Sequence, residues 1–314
     1  MRIKPPGRPD SANMLQPIVH SVFEPNTCSW QYVVACPKTK EAAIIDPVLD
    51  FEPAIFTVST QSADRLLEIV HKHGYTVTRL LETHAHADHL TAAYYIQEIL
   101  WARGHPHAPI CIGENITIVQ SFFAHRYNVP REELQNAFDI LFRPDDQFQI
   151  GELVGIAMHL PGHTPDNSGY HFRGNIFTGD SIFHPDIGSA RCDFPGGDAR
   201  SLWRSLQRLL AFPPDTRLYT AHDYPPSNES AGRDPVPFIT VGDQRTLNKH
   251  LKNGSTEEDF VAWRNQKDRV MTEPPLIHQA LQINIRGGKM PGRSHKGKAM
   301  LNYLVNVPKT LLTG

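Results

Sequence analysis

The chain has 314 residues, of which 40% are hydrophobic and 20% are charged, so it can bury a core and stay in solution. Its formal net charge of −2 gives no general reason to expect a nucleic acid or an anionic membrane as partner. No stretch approaches the roughly 20 apolar residues that span a bilayer. We therefore predict neither a nucleic-acid nor a membrane partner.

The cysteines and the N-terminus indicate the compartment. The four cysteines form no Cys-x-x-Cys pair, which is typical of a reducing interior. The stretch MRIKPPGRPDSANMLQP has no apolar core of a secretory signal, and its prolines argue against an amphipathic import helix. We expect a cytoplasmic protein with an N-terminal tail at 1–17, although import into an organelle is left open.

Predicted strands and helices alternate in the first half. Two strand-like runs, at 29–37 and 41–47, are separated by a Lys-Thr-Lys turn. Residues 63–75 carry apolar side chains at helical spacing. A β-branched strand at 76–84 then ends in a histidine cluster, and 89–104 reads as the next helix.

A similar half follows from about Gly151. It contains a helix at DARSLWRSLQRLLAF and a strand at TRLYTAHDY. This order predicts an α/β fold with sheets layered between helices. Two further helical patterns, VGDQRTLNKHL and EEDFVAWRNQKDRV, read as an appended lid. We predict a catalytic domain at 18–240 and a helical, basic extension at 241–314.

Candidate metal ligands are concentrated in THAHADH at 83–89. His84 and His86 alternate in a tight loop, whereas Asp88 and His89 lie where a helix is predicted to start, so the motif offers two groups of ligands. Imidazole and carboxylate together suit zinc, iron, manganese or nickel. Further candidates follow predicted strands, where sites are often built: His163, Asp180 and His222.

The motifs THAHADH, PGHT, TGD and AHDY occur in the order and approximate spacing of the metallo-β-lactamase superfamily, which the sequence resembles over roughly 18–225. The resemblance implies an αββα sandwich, two sheets between helices, with metal at one edge. It also implies a first site of His84, His86 and His163, a second of Asp88, His89 and His222, and Asp180 as the bridge.

Three stretches resemble the persulfide dioxygenases and their β-lactamase-hydrolase-like branch. These are HLTAA after the histidine cluster, ARCDFPGGDA at 190–199, and the closing segment from DQRTLNKHL to INIRGG. Cys192 and Ala190 depart from the pattern, which usually has Thr and often Gly there. Cys192 is interpreted as a packed residue rather than a catalytic one.

This resemblance implies one Fe(II) held by His84, His163 and Asp180, a facial triad that leaves three positions free. The hypothesis is oxidation of glutathione persulfide to sulfite and glutathione. Asp88 and Arg191 are the predicted catalytic residues. The remaining candidates would surround the iron through hydrogen bonds: His86, Asp88, His89 and His222.

The substrate is expected to be a small thiol or persulfide. Tyr224 and Arg245 are predicted to bind its carrier, by similarity to the family's glutathione site. Arg191 is expected to hold a carboxylate in bidentate fashion. The basic C-terminal residues indicate either a solvated surface or a surface that receives an anionic substrate: Arg286, Lys289, Arg293, Lys296, Lys298 and Lys309.

The competing interpretation is a dinuclear zinc hydrolase acting on a thioester, a lactam or a lactone. All seven ligands would then hold two zinc ions about 3.5–4 Å apart. A sensor module is a weaker alternative, because the sequence has no DNA-binding element. The histidines of HKH (71–73) and GHPH (104–107) are not expected to bind metal, and a homo-oligomer is left open.

Overall fold

The computed structural model describes residues 15–226, 232–295 and 298–303, so most of the predicted tail at 1–17 lies outside the described residues. The first elements are β1 (Ile18–Glu24), β2 (Ser29–Ala35), β3 (Glu41–Ile45), β4 (Val48–Glu52), β5 (Thr57–Ser59), α1 (Gln61–His73), β6 (Thr76–Leu81), β7 (Leu90–Thr91), α2 (Ala93–Ala102), β8 (Ile110–Gly113), α3 (Ile116–Tyr127) and β9 (Ile140–Phe142). The chain continues with β10 (Asp146–Ile150), β11 (Leu153–His159), β12 (Ser168–Phe172), β13 (Asn175–Phe177), α4 (Ala199–Leu210), β14 (Arg217–Tyr219), β15 (Phe238–Thr240), α5 (Val241–Leu247), α6 (Glu257–Asp268), α7 (Ile277–Asn284), β16 (Arg293–His295) and β17 (Lys298–Ala299).

The first large sheet has the order β1-β2-β3-β6-β8-β9. Its β3, β6, β8 and β9 run parallel, as the strand–helix alternation predicts. The strand β2 is buried along its whole length, which is typical of a strand covered on both faces. Val33 and Ala35 accordingly face one core, whereas Tyr32 and Val34 face the next.

The second large sheet has the order β10-β11-β12-β13-β14-β15. An aromatic core separates the two sheets and includes Tyr32, Phe148, Tyr170 and Phe177. The outer face of the first sheet packs with α1, α2, α3 and α7, and that of the second sheet with α4, α5 and α6. The predicted αββα sandwich is confirmed.

One short segment departs from the predicted elements. The helix predicted from 89 begins at Ala93, because Leu90 and Thr91 form β7 and pair with β4. The Thr91 hydroxyl then accepts a hydrogen bond from the Ala93 N–H, 3.1 Å away, at the start of α2. The end of the histidine cluster is therefore fixed by strand pairing and does not lie in a helical first turn.

The C-terminal helices differ in how deeply they are buried. The predicted helices α5 and α6 are present and pack against α4. The helix α7 was not predicted, and its Ile277, Ala280, Leu281 and Ile283 belong to the core of the first sheet. The boundary at 240/241 stays a prediction, and packing crosses it.

The predicted basic surface is only partly described. Lys296 and Lys309 lie outside the described residues, and the side chains of Arg293 and Lys298 are not described. Arg286 is buried and pairs with Glu133, with 2.6 Å between Nε and Oε2, so it does not present its charge to a substrate. None of the helices within 15–226, 232–295 and 298–303 is long and apolar enough to cross a membrane.

Candidate metal centre

The seven predicted ligands meet at one edge of the sandwich. The loop between β6 and β7 carries four of them, and the other three follow β11, β13 and β14. The strands that precede the ligands, β6, β11, β13 and β14, all belong to the two large sheets, so strand pairing sets the backbone positions of the ligands. The seven side chains form two groups, and within each group the ligand atoms lie within 4.8 Å of one another.

The first group consists of His84, His163 and Asp180. Its histidine Nε2 atoms lie 4.0 Å (His84) and 3.6 Å (His163) from the same carboxylate oxygen, Asp180 Oδ2. All three residues are buried. We call this set the triad, and it is the two-histidine, one-carboxylate arrangement that the dioxygenase resemblance implies.

The second group consists of His86, Asp88, His89 and His222, and we call it the quartet. His222 Nε2 lies 3.3 Å from Asp88 Oδ2 and 3.6 Å from Asp180 Oδ1. The two oxygens of Asp180 therefore face different groups, in agreement with the predicted bridging position. The position of His86 differs from the implied first site, since its ligand atom groups with the quartet.

Each triad histidine has a fixed orientation. Thr83 Oγ1 donates to Asp46 Oδ2 at 2.8 Å, so it accepts the proton of His84 Nδ1, which is 3.0 Å away. His163 Nδ1 donates to the carbonyl of Arg191 at 2.7 Å. Such bonds select the tautomer that leaves the Nε2 lone pair free for a metal. The triad is thus organised by the protein alone.

The quartet is held less closely. One hydroxyl, Ser29 Oγ, serves both His89 Nδ1 and His222 Nδ1, at 3.4 and 3.3 Å. The side chain of Asp88 is 27% exposed, whereas those of the triad are 9% exposed or less. His86 Nε2 lies 3.2 Å from Asp46 Oδ1 without forming a hydrogen bond, and the ligand atoms of His86, Asp46 and Glu82 also lie within 4.8 Å of one another.

The chemistry of these groups fits a divalent cation. Buried polar atoms normally have partners, because leaving one unpaired is costly. Burial, aided by neighbouring imidazoles, holds the pKa of His84 and of His86 well below the usual value, so both are neutral donors. Several inward-facing atoms in the described residues have no hydrogen-bond partner: His84 Nε2, His86 Nδ1 and Nε2, Asp88 Oδ2, His89 Nε2, Asp180 Oδ1 and His222 Nε2.

The guanidinium groups of the two arginines predicted to bind substrate are paired with other protein groups. The guanidinium of Arg191 forms a bidentate pair with Asp193, at 2.5 Å for each bond, and also donates to the carbonyl of Thr272. It is therefore already paired, and the residue serves the centre through its carbonyl. Arg245 donates to the carbonyls of Leu210 and Phe212 at the end of α4 and has no described contact with the ligands.

Tyr224 is the predicted substrate residue whose side chain contacts a ligand of the centre. Its ring stacks on His222, with centroids 5.7 Å apart and planes 7° apart, and 44% of the residue is exposed. Desolvation raises the pKa of Tyr224 well above its usual value, and the carboxylates of Asp88 and Asp180 add to the shift. The hydroxyl stays protonated and can donate a hydrogen bond.

The sequence did not reveal several residues that support the ligands. Asp46 ends the EAAIID strand, and Asp166 accepts the backbone N–H of Ala85 inside the ligand loop at 2.8 Å. A carboxylate directly after a buried strand was the available signal for Asp46. No local pattern indicated Asn284, whose side chain contacts the ligand loop from α7.

Cys192 is packed, as predicted, and the absence of metal from the other histidine-rich stretches stays a prediction. Cys192 is buried in the core beside the second sheet, and burial raises the pKa of its thiol. The four cysteines are free, so no disulfide forms. Among the described residues, the candidate metal groups include no histidine from 71–73 or 104–107.

Comparisons with known proteins place these observations in a family. The family model of the metallo-beta-lactamase superfamily matches residues 29–222. A beta-lactamase hydrolase-like protein of Agrobacterium fabrum is 42% identical over 93% of this chain, which spans 65% of that relative's length. Glyoxylase B2 of Dictyostelium discoideum is 37% identical, over 90% of this chain and 96% of its own.

More distant relatives carry a different name. The mitochondrial persulfide dioxygenase ETHE1 of Homo sapiens is 26% identical over 86% of this chain and 89% of its own. The crystal structure of ETHE1 from Myxococcus xanthus is 25% identical, with a TM-score of 0.67, and covers 87% of this chain and 100% of that chain. Because the family model matches more than half of its length, the chain belongs to the metallo-beta-lactamase superfamily.

Proposed function

We propose that the protein is a mononuclear iron persulfide dioxygenase that oxidises glutathione persulfide. The reaction consumes one dioxygen and one water for each persulfide and yields sulfite and glutathione. The observation that carries the proposal is the triad, whose two histidines have fixed tautomers and face one carboxylate oxygen. When bound there, Fe(II) supplies open coordination positions for a sulfur ligand and dioxygen.

The chain's own groups then have distinct tasks. Thr83 and the Arg191 carbonyl orient the two triad histidines, so little reorganisation is needed on metal binding. His222 Nε2 lies 3.3 Å from Asp88 Oδ2 and 3.6 Å from Asp180 Oδ1. We assign to Asp88 Oδ2, an acceptor, and His222 Nε2, a ring nitrogen, the task of holding a water by hydrogen bonds beside the triad.

Two further observations support the choice of substrate. HLTAA and ARCDFPGGDA resemble the persulfide dioxygenases, and the human relative bears that name. Tyr224 offers a protonated hydroxyl and an exposed ring next to His222, so we keep it as the proposed contact for the thiol carrier. Arg191 and Arg245 are occupied elsewhere, and we no longer assign the carrier's carboxylates to them.

A dinuclear zinc hydrolase is the second candidate. The observation that favours it is the quartet, which is complete and shares Asp180 with the triad. Two zinc ions held by the two groups would supply a bridging hydroxide for attack on a carbonyl. The names of the Agrobacterium and Dictyostelium relatives also favour hydrolysis.

A reconstitution experiment separates the two candidates. Metal-free protein is reloaded with Fe(II) or with Zn(II), and oxygen uptake and sulfite are followed with glutathione persulfide. The same samples are offered a thioester and a lactam under nitrogen. We expect oxygen uptake and sulfite in equal amounts with iron alone; zinc-dependent hydrolysis without oxygen uptake would reverse the assignment.

A further inference from the structure

The side chain of Asn284, the last residue of α7, forms hydrogen bonds with the ligand loop and with β7. Its Nδ2 donates to the carbonyls of His86 and His89, at 2.7 and 2.8 Å. Its Oδ1 accepts the N–H of Thr91 at 2.8 Å. The residue is 3% exposed, so these bonds are shielded from water. One side chain thus fixes the backbone at two members of the quartet and at the strand that follows them.

The chain after Asn284 shows that this contact is closely built. Gly287 and Gly288 have φ of 65° and 89°, a conformation that favours glycine. A Cβ on Gly287 would lie 2.1 Å from the Ala137 carbonyl oxygen, and one on Gly288 would lie 3.2 Å from the Thr91 carbonyl oxygen. The backbone therefore passes Ala137 with no room for a side chain at Gly287 and lies close against β7 at Gly288, so the chain that follows α7 is closely packed.

The helix α6 makes a corresponding contact with a different loop. Asp268 Oδ2 accepts the N–H of Cys192 at 2.9 Å, and Asp268 Oδ1 pairs with the buried Arg264 at 2.5 Å. Arg264 also donates to the carbonyl of Ser189 at 3.2 Å. The loop held in this way contains Arg191, whose carbonyl accepts the proton of the triad histidine His163.

We infer that Asn284 and Asp268 are positioning residues for the metal centre, each acting on one group of ligands. Asn284 sets the backbone of His86 and His89 in the quartet. Asp268 sets the loop whose carbonyl orients His163 in the triad. The inference rests on the proposed ligand groups but not on the identity of the metal or of the substrate.

Two separate anchors predict a different response to substitution from the one that a purely structural role predicts. A residue that only stabilises the fold would, when changed, loosen both loops together. Because the two anchors reach separate backbone segments, each substitution is expected to loosen its own segment and leave the other unchanged. The amides of Thr91 and Cys192 report on the two segments directly, since each donates to one anchor.

The test uses amide hydrogen exchange and metal titration on Asn284→Ala, Asn284→Asp and Asp268→Asn. Asn284→Asp keeps an acceptor for Thr91 but loses both donors to the loop. Asp268→Asn keeps the size of the side chain and removes its charge. The control is Glu258→Gln, which likewise removes a charge but at an exposed position of α6.

We expect exchange at Thr91 to rise at least about 10-fold in Asn284→Ala, with Cys192 within about twofold of the wild type, and the reverse in Asp268→Asn. Titration of metal-free protein with Zn(II) against a competing chelator should show about 10–100-fold weaker triad binding in Asp268→Asn only. In both Asn284 variants triad affinity should stay within about threefold, and any second binding step should weaken.

Parallel acceleration of both amides in either variant would overturn the inference, as would unchanged metal affinity in Asp268→Asn despite faster exchange at Cys192. A chain that takes up two zinc ions and consumes no oxygen would defeat the proposed function instead. The crossed pattern of the two variants would still be expected in that case, so the two failures are distinguishable.

Discussion

The triad and the quartet are adjacent and have similar ligand types, yet the protein supports them differently. Each triad histidine has its own partner for Nδ1, at 3.0 Å for His84 and 2.7 Å for His163. In the quartet, the Nδ1 atoms of His89 and His222 both contact the hydroxyl of Ser29, at the longer distances of 3.4 and 3.3 Å. The triad is thus organised for a metal in advance, and the quartet is organised only in part.

This difference bears on the number of ions. A preorganised group loses less conformational freedom on binding, so it binds the metal more tightly. The quartet is also nearer to solvent, through Asp88. We therefore expect the triad to fill first and the quartet to act mainly through hydrogen bonds, which is the arrangement of a one-iron enzyme.

The strongest way to break the comparison is to change the residue that both groups share. Asp180→Ala removes Oδ2 from the triad and Oδ1 from the face of His222. We expect loss of bound metal and a fall in turnover of more than about 100-fold, beyond the 10–100-fold typical of outer-shell changes. Metal content and oxygen uptake measure this; a variant that keeps its metal and most of its turnover would contradict the shared role.

A smaller effect is expected when only the quartet is changed. Asp88→Asn keeps the shape of the side chain but removes the negative charge next to His222. Since the triad keeps its ligands, iron should remain bound while turnover falls about 10–100-fold. Oxygen uptake at saturating persulfide checks this, with Glu258→Gln as an exposed control; loss of iron would instead make Asp88 a ligand.

The hydrogen bonds that orient the histidines of the two groups should also differ in their effect on iron affinity. Thr83→Val removes the acceptor for His84 Nδ1, whereas Ser29→Ala removes the longer contacts of the quartet. We expect about 10-fold weaker iron binding in Thr83→Val and less than about threefold in Ser29→Ala. Competition with a chelator measures both, and an equal or reversed order would remove the basis of the comparison.

The smallest expected effect is on stability: removal of metal should lower the melting temperature only modestly. A bound ion would satisfy the buried, unpaired Nε2 of His84 and would stabilise the fold by about 2.7 kcal/mol at a free concentration 100 times Kd. We expect a chelator to lower the melting temperature of the wild-type protein by a few degrees. The His84→Ala variant, with the triad broken, should melt at the same temperature with and without chelator.

The sequence alone predicted the sandwich and the gathering of the ligands, because both depend on local patterns. Strand-like apolar runs and helical spacing predicted several of the strands and helices, and His163, Asp180 and His222 follow strands whose ends meet at one edge. The αββα arrangement came from the resemblance as well as from the alternation. The short β7 escaped detection because its pairing with β4 joins residues about 40 positions apart and overrides a helical pattern.

Long-range polar contacts were not predictable in the same way. The sequence does not show whether the guanidinium groups of Arg191 and Arg245 are free to bind a substrate. In the structure Arg191 pairs with Asp193, and Arg245 donates to the carbonyl of Leu210 at the end of α4. Asn284 reaches a loop almost 200 positions earlier in the chain, a separation for which sequence spacing carries no information. The grouping of His86 with the quartet likewise depends on the direction of its ring, which sequence spacing does not give.

The most direct test of a single iron in the triad is the metal content of three purified proteins. Iron and zinc per chain are measured in the wild type, in His84→Ala and in His222→Ala, after expression with both metals available. We predict about one iron per chain in the wild type, close to none in His84→Ala, and about one in His222→Ala. Two zinc ions in the wild type, falling to one in His222→Ala, would contradict the account.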